Sequence, residues 1–152
     1  MTAGLKKSAP LIFALALAFS AGAAHALEFK SIAANPAVLY DAPSEKGQRV
    51  FIAPRSMPVE VVLTYADWTK IRDAWGDLSW VSTKALSPRR YVIVTSLNAK
   101  IRSRADDASP VIFSADRNVL LELVEPVVPG WIHVRHQDGQ VGFLRPAEVW
   151  GD

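Results

Sequence analysis

The sequence has no cysteine. Disulfides are therefore excluded as a source of stability, even in an oxidising compartment that would permit them. Cysteine-nucleophile catalysis is excluded too, and so is lipid anchoring through a cysteine placed directly after a cleavage site. Long apolar runs are also missing. The most apolar stretch, Leu11 to Phe19, is far shorter than the ~20 residues that a permanent membrane helix requires. No segment of the chain after it qualifies as a transmembrane span. A third shortage is net charge. The formal charge is +2, but residues 1–26 hold two lysines and no acid, so the remainder carries 15 groups of each sign. A nucleic-acid binder needs a basic footprint and a polybasic membrane sensor needs the same, and neither is present.

The first residues form the three parts of a secretory signal: Lys6 and Lys7, the apolar run, and a small-residue exit at Ala24-His25-Ala26. Cleavage is expected after Ala26, with delivery of the mature chain to the periplasm or beyond the cell.

The mature segment repeats itself. Residues Trp68 to Leu86 lie without gaps on Trp131 to Val149 at an offset of 63, pairing Trp68 with Trp131, Ile71 with Val134, Gly76 with Gly139 and Trp80 with Phe143. Upstream, Val38 meets Ile101 at the same offset, and Pro58-Val-Glu-Val61 meets Leu120-Leu-Glu-Leu123 after a slip of one residue. Period analysis of this kind overrides the length prior of one domain. The expected organisation is a signal peptide at 1–26, a first unit at 27–87 and a second at 88–152, with Ser87-Pro88-Arg89-Arg90 as linker.

Each copy reads as all-β. Ala37 to Tyr40, Val59 to Leu63, Trp68 to Arg72 and Leu78 to Val81 are short runs of β-branched and aromatic residues separated by Gly, Pro, Asp and Ser. Ala74-Trp75-Gly76-Asp77 and Gln137-Asp138-Gly139-Gln140 are hairpin turns, glycine supplying positive φ. Five short strands closing on themselves would bury so small a core without long open edges.

The string Pro58-Val-Glu-Val, Trp68-x-x-Ile-Arg-Asp, Gly76, Trp80-Val81 and Leu86 resembles the bacterial SH3 domain family. The second copy repeats it through Lys100-Ile-Arg102, Trp131-x-x-Val-Arg, Gly139-x-x-Gly142-Phe143 and Val149-Trp-Gly. The resemblance implies two tandem SH3-like five-stranded barrels, no cofactor, and a recognition role toward peptidoglycan or envelope proteins. Copy one departs from it, with Leu39 where copy two has Arg102 and Ser79 where a glycine is usual. By likeness to the eukaryotic SH3 ligand face, Tyr40, Trp68 and Trp80 share one groove, whose counterpart is Ser103, Trp131 and Phe143. That groove has Ser82 and Ala85 in place of its further proline and tyrosine.

Strand alternation places Thr69 and Ile71 on one face and Trp68 and Lys70 on the other. A tryptophan off the core face is covered either by a neighbouring loop or the sister copy, or by a ligand. Trp75, beside Gly76 in a turn, is a candidate anchor for a partner. Trp150 reads as a C-terminal core plug. The candidate ligand-binding residues are thus Tyr40, Trp68, Trp75, Trp80, Trp131 and Phe143. His133 and His136 fall on opposite faces of one strand, which spoils joint metal ligation, and no metal site is expected. No nucleophile, base and orienting group come together, so the chain is expected not to be an enzyme. A peptidoglycan or peptide ligand, or alternatively an envelope enzyme or transporter that the chain scaffolds, is the expected partner.

Overall fold

The computed structural model describes residues 1, 26–33, 36–125 and 128–152. The signal-peptide reading falls on residues outside this set. Among the described residues no helix is long and apolar enough to cross a membrane. They form two sheets of seven strands, with one-turn 3-10 helices at Thr83–Ala85 and Pro146–Glu148.

The first sheet comprises β1 (Glu28–Ile32), β2 (Ala37–Tyr40), β3 (Arg49–Ala53), β4 (Pro58–Tyr65), β5 (Trp68–Arg72), β6 (Leu78–Ser82) and β7 (Leu86–Ser87). The second comprises β8 (Tyr91–Val94), β9 (Ala99–Arg102), β10 (Val111–Ala115), β11 (Leu120–Leu123), β12 (Ile132–Arg135), β13 (Val141–Leu144) and β14 (Val149–Trp150). The first is ordered β3-β2-β6-β5-β4-β1-β7 and the second β10-β9-β13-β12-β11-β8-β14, the same topology twice. Seven strands rather than five is a correction. The two-residue strands β7 and β14 are too short to leave a periodic pattern, and β3 carries apolar side chains on both faces.

Each sheet curls over its own core. Ala53 of β3 and Leu86 of β7, at opposite ends of the hydrogen-bonded order, pack on the same cluster as Ile32, Leu39, Val59 and Ile71. A flat sheet would hold those ends several strand widths apart, ~4.8 Å each. The second core repeats the first: Val94, Ile101, Leu121, Val134 and Leu144 stand where the first has Ile32, Leu39, Val59, Ile71 and Val81.

These equivalences correct the alignment of the repeat. Tyr40 pairs with Trp80, and Arg102 with Phe143. Ala37 pairs with Ala53, and Ala99 with Ala115. The offset is therefore 62 through β1 to β4 and 63 from β5 onward. Val38 matches Lys100 rather than Ile101; Tyr40, rather than Leu39, stands where copy two has Arg102; and Ser103 is the counterpart of Asp41. The slip lies in the β4–β5 connection, since Val61 pairs with Ile71 but Leu123 with Val134.

The two sheets meet along β4 and β8. Phe29 and Trp150 pack edge to face with centroids 5.0 Å apart, and the Arg90 guanidinium lies 5.4 Å from the Phe29 ring. Ser31 Oγ donates to the Arg89 carbonyl at 2.7 Å, and Arg90 donates to the Gly151 carbonyl at 2.8 Å. Trp150 is thus half-buried between the sheets, and the core position belongs to its neighbour Val149. Arg89 stays exposed and pairs with Glu122.

Candidate functional site

The outward side of β5 and β6 gathers most of the aromatic candidates of copy one. Thr69, Ile71, Ser79 and Val81 are buried, so the alternate positions Trp68, Lys70 and Trp80 emerge half-buried on the other side. Lys70 and Trp80 are directly paired, with the ammonium 5.8 Å from the ring centroid. Tyr40 pairs with Trp80 from β2 and meets Trp68 edge to face at 5.5 Å. Tyr65 joins them, because it is the register partner of Trp68 across the β4–β5 ladder and is 65% exposed. The sequence reading missed Tyr65 by ending its strand at Leu63; the run Leu63-Thr64-Tyr65 continuing in β fashion was the available signal.

Trp75 is not part of this group. It sits at the tip of the β5–β6 turn and is 58% exposed. The Asp73 carboxylate accepts hydrogen bonds from the Trp75 and Asp77 amides, both at 2.9 Å, and Gly76 turns the chain at φ +93°. The side chain of Trp75 lines a separate cleft formed with Phe51 and Leu78.

In copy two the corresponding surface is closed by its own side chains. Trp131 is 8% exposed because the Arg145 guanidinium lies 3.9 Å from its ring centroid. Arg145 is itself held by the Gly130 carbonyl at 3.1 Å and the Asp107 carboxylate at 2.5 Å. Arg145 occupies the position of Ser82, so copy two carries a covering cation that copy one lacks there. Phe143 stacks on His133 at 4.4 Å and 8°, as Trp80 lies against Lys70. His133 Nδ1 lies 3.0 Å from the Glu125 carbonyl. Trp131 does form one wall of a larger cavity of about 580 Å³ beside the linker, together with Arg89, Arg90, Glu122, His133 and Pro146. Its walls come from segments far apart in sequence.

His136 pairs with Asp138 at 3.0 Å within its turn. Hydrogen bonds from the Gln140 backbone and side chain, then from His136, hold the Asp138 carboxyl down to about 2. Among the described residues no group of three His, Cys, Asp or Glu side chains is placed to hold a metal ion.

The family model described as "Bacterial SH3 domain" matches residues 33–88 and 96–151. No curated protein matches the sequence. Among solved structures, NlpC2 and NlpC1 from Trichomonas vaginalis each share 11% identity with this chain at a TM-score of 0.39. The alignments cover 84% and 91% of this chain and 49% and 51% of theirs, so it spans about half the length of those proteins.

Proposed function

From the premise that the chain belongs to the bacterial SH3 domain family, carrying two copies of the domain, we propose that it is a non-catalytic binding protein. It is exported to the periplasm and recognises a peptide or peptidoglycan ligand through the aromatic face of copy one. The observation that carries this reading is the way the copies are joined. Phe29, Arg90 and Trp150 make the junction, whereas Tyr40 and Trp68 contact each other and Trp80 contacts Lys70 within copy one. Tyr40 is buried, while Trp68 and Trp80 stay half-exposed, with Lys70 beside Trp80; such rings suit the apolar faces of sugars and the side chains of a peptide, because each offers large apolar area at small entropic cost. Trp131 supports the fold in this reading, since Arg145 covers it, while Phe143 stays half-buried against His133.

Retention on purified peptidoglycan tests the glycan form. The protein is expected to sediment with the sacculi, and Trp68→Ala with Trp80→Ala to release it. Absence of retention at low salt refutes it.

A second reading is a subunit that scaffolds an envelope enzyme or transporter without wall affinity. It draws on the balance of 15 acidic and 15 basic groups beyond residue 26, which leaves no field to steer the protein toward an anionic wall. Crosslinking in periplasmic extract separates the readings: one abundant protein partner, in place of wall fragments, decides for the scaffold.

A further inference from the structure

A second concavity in copy one is independent of the aromatic face. It is a cleft of about 380 Å³ with an apolar wall of Phe51, Trp75 and Leu78 and the carboxylates of Asp41, Asp73 and Asp77. None of Tyr40, Trp68 and Trp80 lines it, so the cleft is distinct from the aromatic face.

Three features set it apart from ordinary surface. Its lining holds three carboxylates and no Lys, Arg or His. Among the described residues none of the three is in an ion pair, and the Asp77 carboxylate accepts no hydrogen bond. Most of its apolar residues are unusually bare, with Phe51 46% and Trp75 58% exposed, over a floor that includes buried Leu39. Finally, Phe51 belongs to β3, the terminal strand of its sheet, whose outer edge pairs with nothing among the described residues and whose Val50 and Ile52 are exposed as well. A bare apolar edge is a template for another strand.

Asp73 ties its own turn and Asp41 accepts the Gln48 amide at 2.8 Å, but the fold gives no task to the Asp77 carboxylate. Copy two builds the same turn, with the His136 amide donating to the Gln140 carbonyl at 2.8 Å and Gly139 at φ +93°. There His136 and Gln140 stand for Asp73 and Asp77, Asp138 for Trp75, and Ser103 for Asp41. Turn geometry thus demands the glycine, while the tryptophan and the three acids of the cleft are particular to copy one.

The geometry points to a docking site for an extended, basic polypeptide segment, which adds along the edge of β3, lays lysine or arginine side chains against Asp41 and Asp77, and packs beside Trp75. Charge complementarity selects this occupant. An anionic polymer would meet three unpaired carboxylates, and the exposed indole of Trp75 adds an attraction for cations that it does not offer to anions.

The test uses the full chain and a dye-labelled hexapeptide of alternating valine and lysine, with a valine–glutamate hexapeptide as control, read by fluorescence anisotropy. The lysine peptide is expected to bind at least ~10-fold more tightly than the control, with affinity falling at high salt. Asp77→Gln, which installs the residue copy two uses in the same turn, is expected to weaken binding several-fold; Trp75→Ala is expected to weaken it about 10-fold. Trp68→Ala leaves it unchanged, which separates this site from the aromatic face. Near-UV circular dichroism verifies that the variants are folded. Equal affinity for both peptides, absence of binding, or loss through Trp68→Ala but not Asp77→Gln overturns the inference. So does a dimer in sedimentation velocity that Asp77→Gln dissolves, since the occupant would then be a second copy of the chain.

Discussion

Replacing Gly142 by alanine is expected to unfold copy two at markedly lower temperature. Gly142 is buried in β13 where that strand passes β9, and a Cβ built on it falls 2.5 Å from Ile101 Cγ2 and 2.6 Å from the Arg102 carbonyl oxygen. Ordinary contact begins near 3.4 Å, so both neighbours must retreat by roughly 0.8–0.9 Å. Ile101 is fully buried in the second core, and Arg102 is the residue of β9 that pairs with Phe143. Neither can yield without opening the β9–β13 ladder or displacing the core. Overpacking of this kind costs about 1–3 kcal/mol, and the entropy that alanine removes from the unfolded chain returns only about 0.4–1 kcal/mol. Since 1 kcal/mol moves the midpoint of a 60–100-residue unit by roughly 4–8 °C, a fall of about 5–15 °C is expected in the transition assigned to copy two. Copy one supplies the internal control. Ser79 occupies the same place there, so Ser79→Ala is expected to change its transition by under ~0.5 kcal/mol. Differential scanning calorimetry checks both variants. A midpoint for Gly142→Ala equal to or above that of the parent refutes the steric argument.

Arg145→Ala removes the cation over Trp131 together with the hydrogen bond to Gly130; a loss of about 1.5–3 kcal/mol in urea unfolding is expected, with increased quenching of tryptophan fluorescence by iodide as Trp131 is uncovered. Phe29→Ala deletes the ring that Trp150 packs against; the transitions of the two copies are expected to become less coupled and to separate further in calorimetry, the edge-to-face pair itself contributing about 0.5–1.5 kcal/mol. The carboxyl of Asp138 is held at about 2, below its unfolded value; its stabilising contribution is therefore complete above the unfolded pKa near 4 and is lost as pH falls through about 2. A carbon-detected NMR titration placing that pKa near 4 would contradict the hydrogen bonds drawn to Gln140.

The repeat was legible from β5 onward because a gapless stretch that opens on a paired tryptophan and holds the aromatic pair Trp80 and Phe143 leaves little freedom of alignment. It was misread upstream, where Val38 and Ile101 are both apolar and an alignment shifted by one residue still matches apolar with apolar. In a strand such a shift exchanges the two faces, and only the pairings of Tyr40 with Trp80 and Arg102 with Phe143 reveal which residue points outward. The outward position of Trp68 followed from alternation alone. The closing of Trp131 did not, since Arg145 and Trp131 lie on different strand ends and nothing local announces that a guanidinium crosses onto an indole. Trp75 was singled out correctly as exposed but grouped with the wrong neighbours, because its turn carries it round the edge of β6 toward Phe51, and that proximity depends on β3 lying two positions from β6 in the sheet.

The contact between Phe29 and Trp150 joins positions near opposite ends of the folded chain, which in kinetic terms is a costly place for a ring pair. Closing so long a loop in an unfolded chain opposes folding and slows it. Each sheet, however, draws all its pairings from its own stretch of sequence. Once both have formed, only Pro88, Arg89 and Arg90 separate β7 from β8, so the two rings search a small volume at high effective concentration. The order of events follows: two sheets condense independently, and docking is a late, nearly unimolecular step. A refolding trace should accordingly contain a fast phase that Phe29→Ala leaves intact and a slower one that it abolishes.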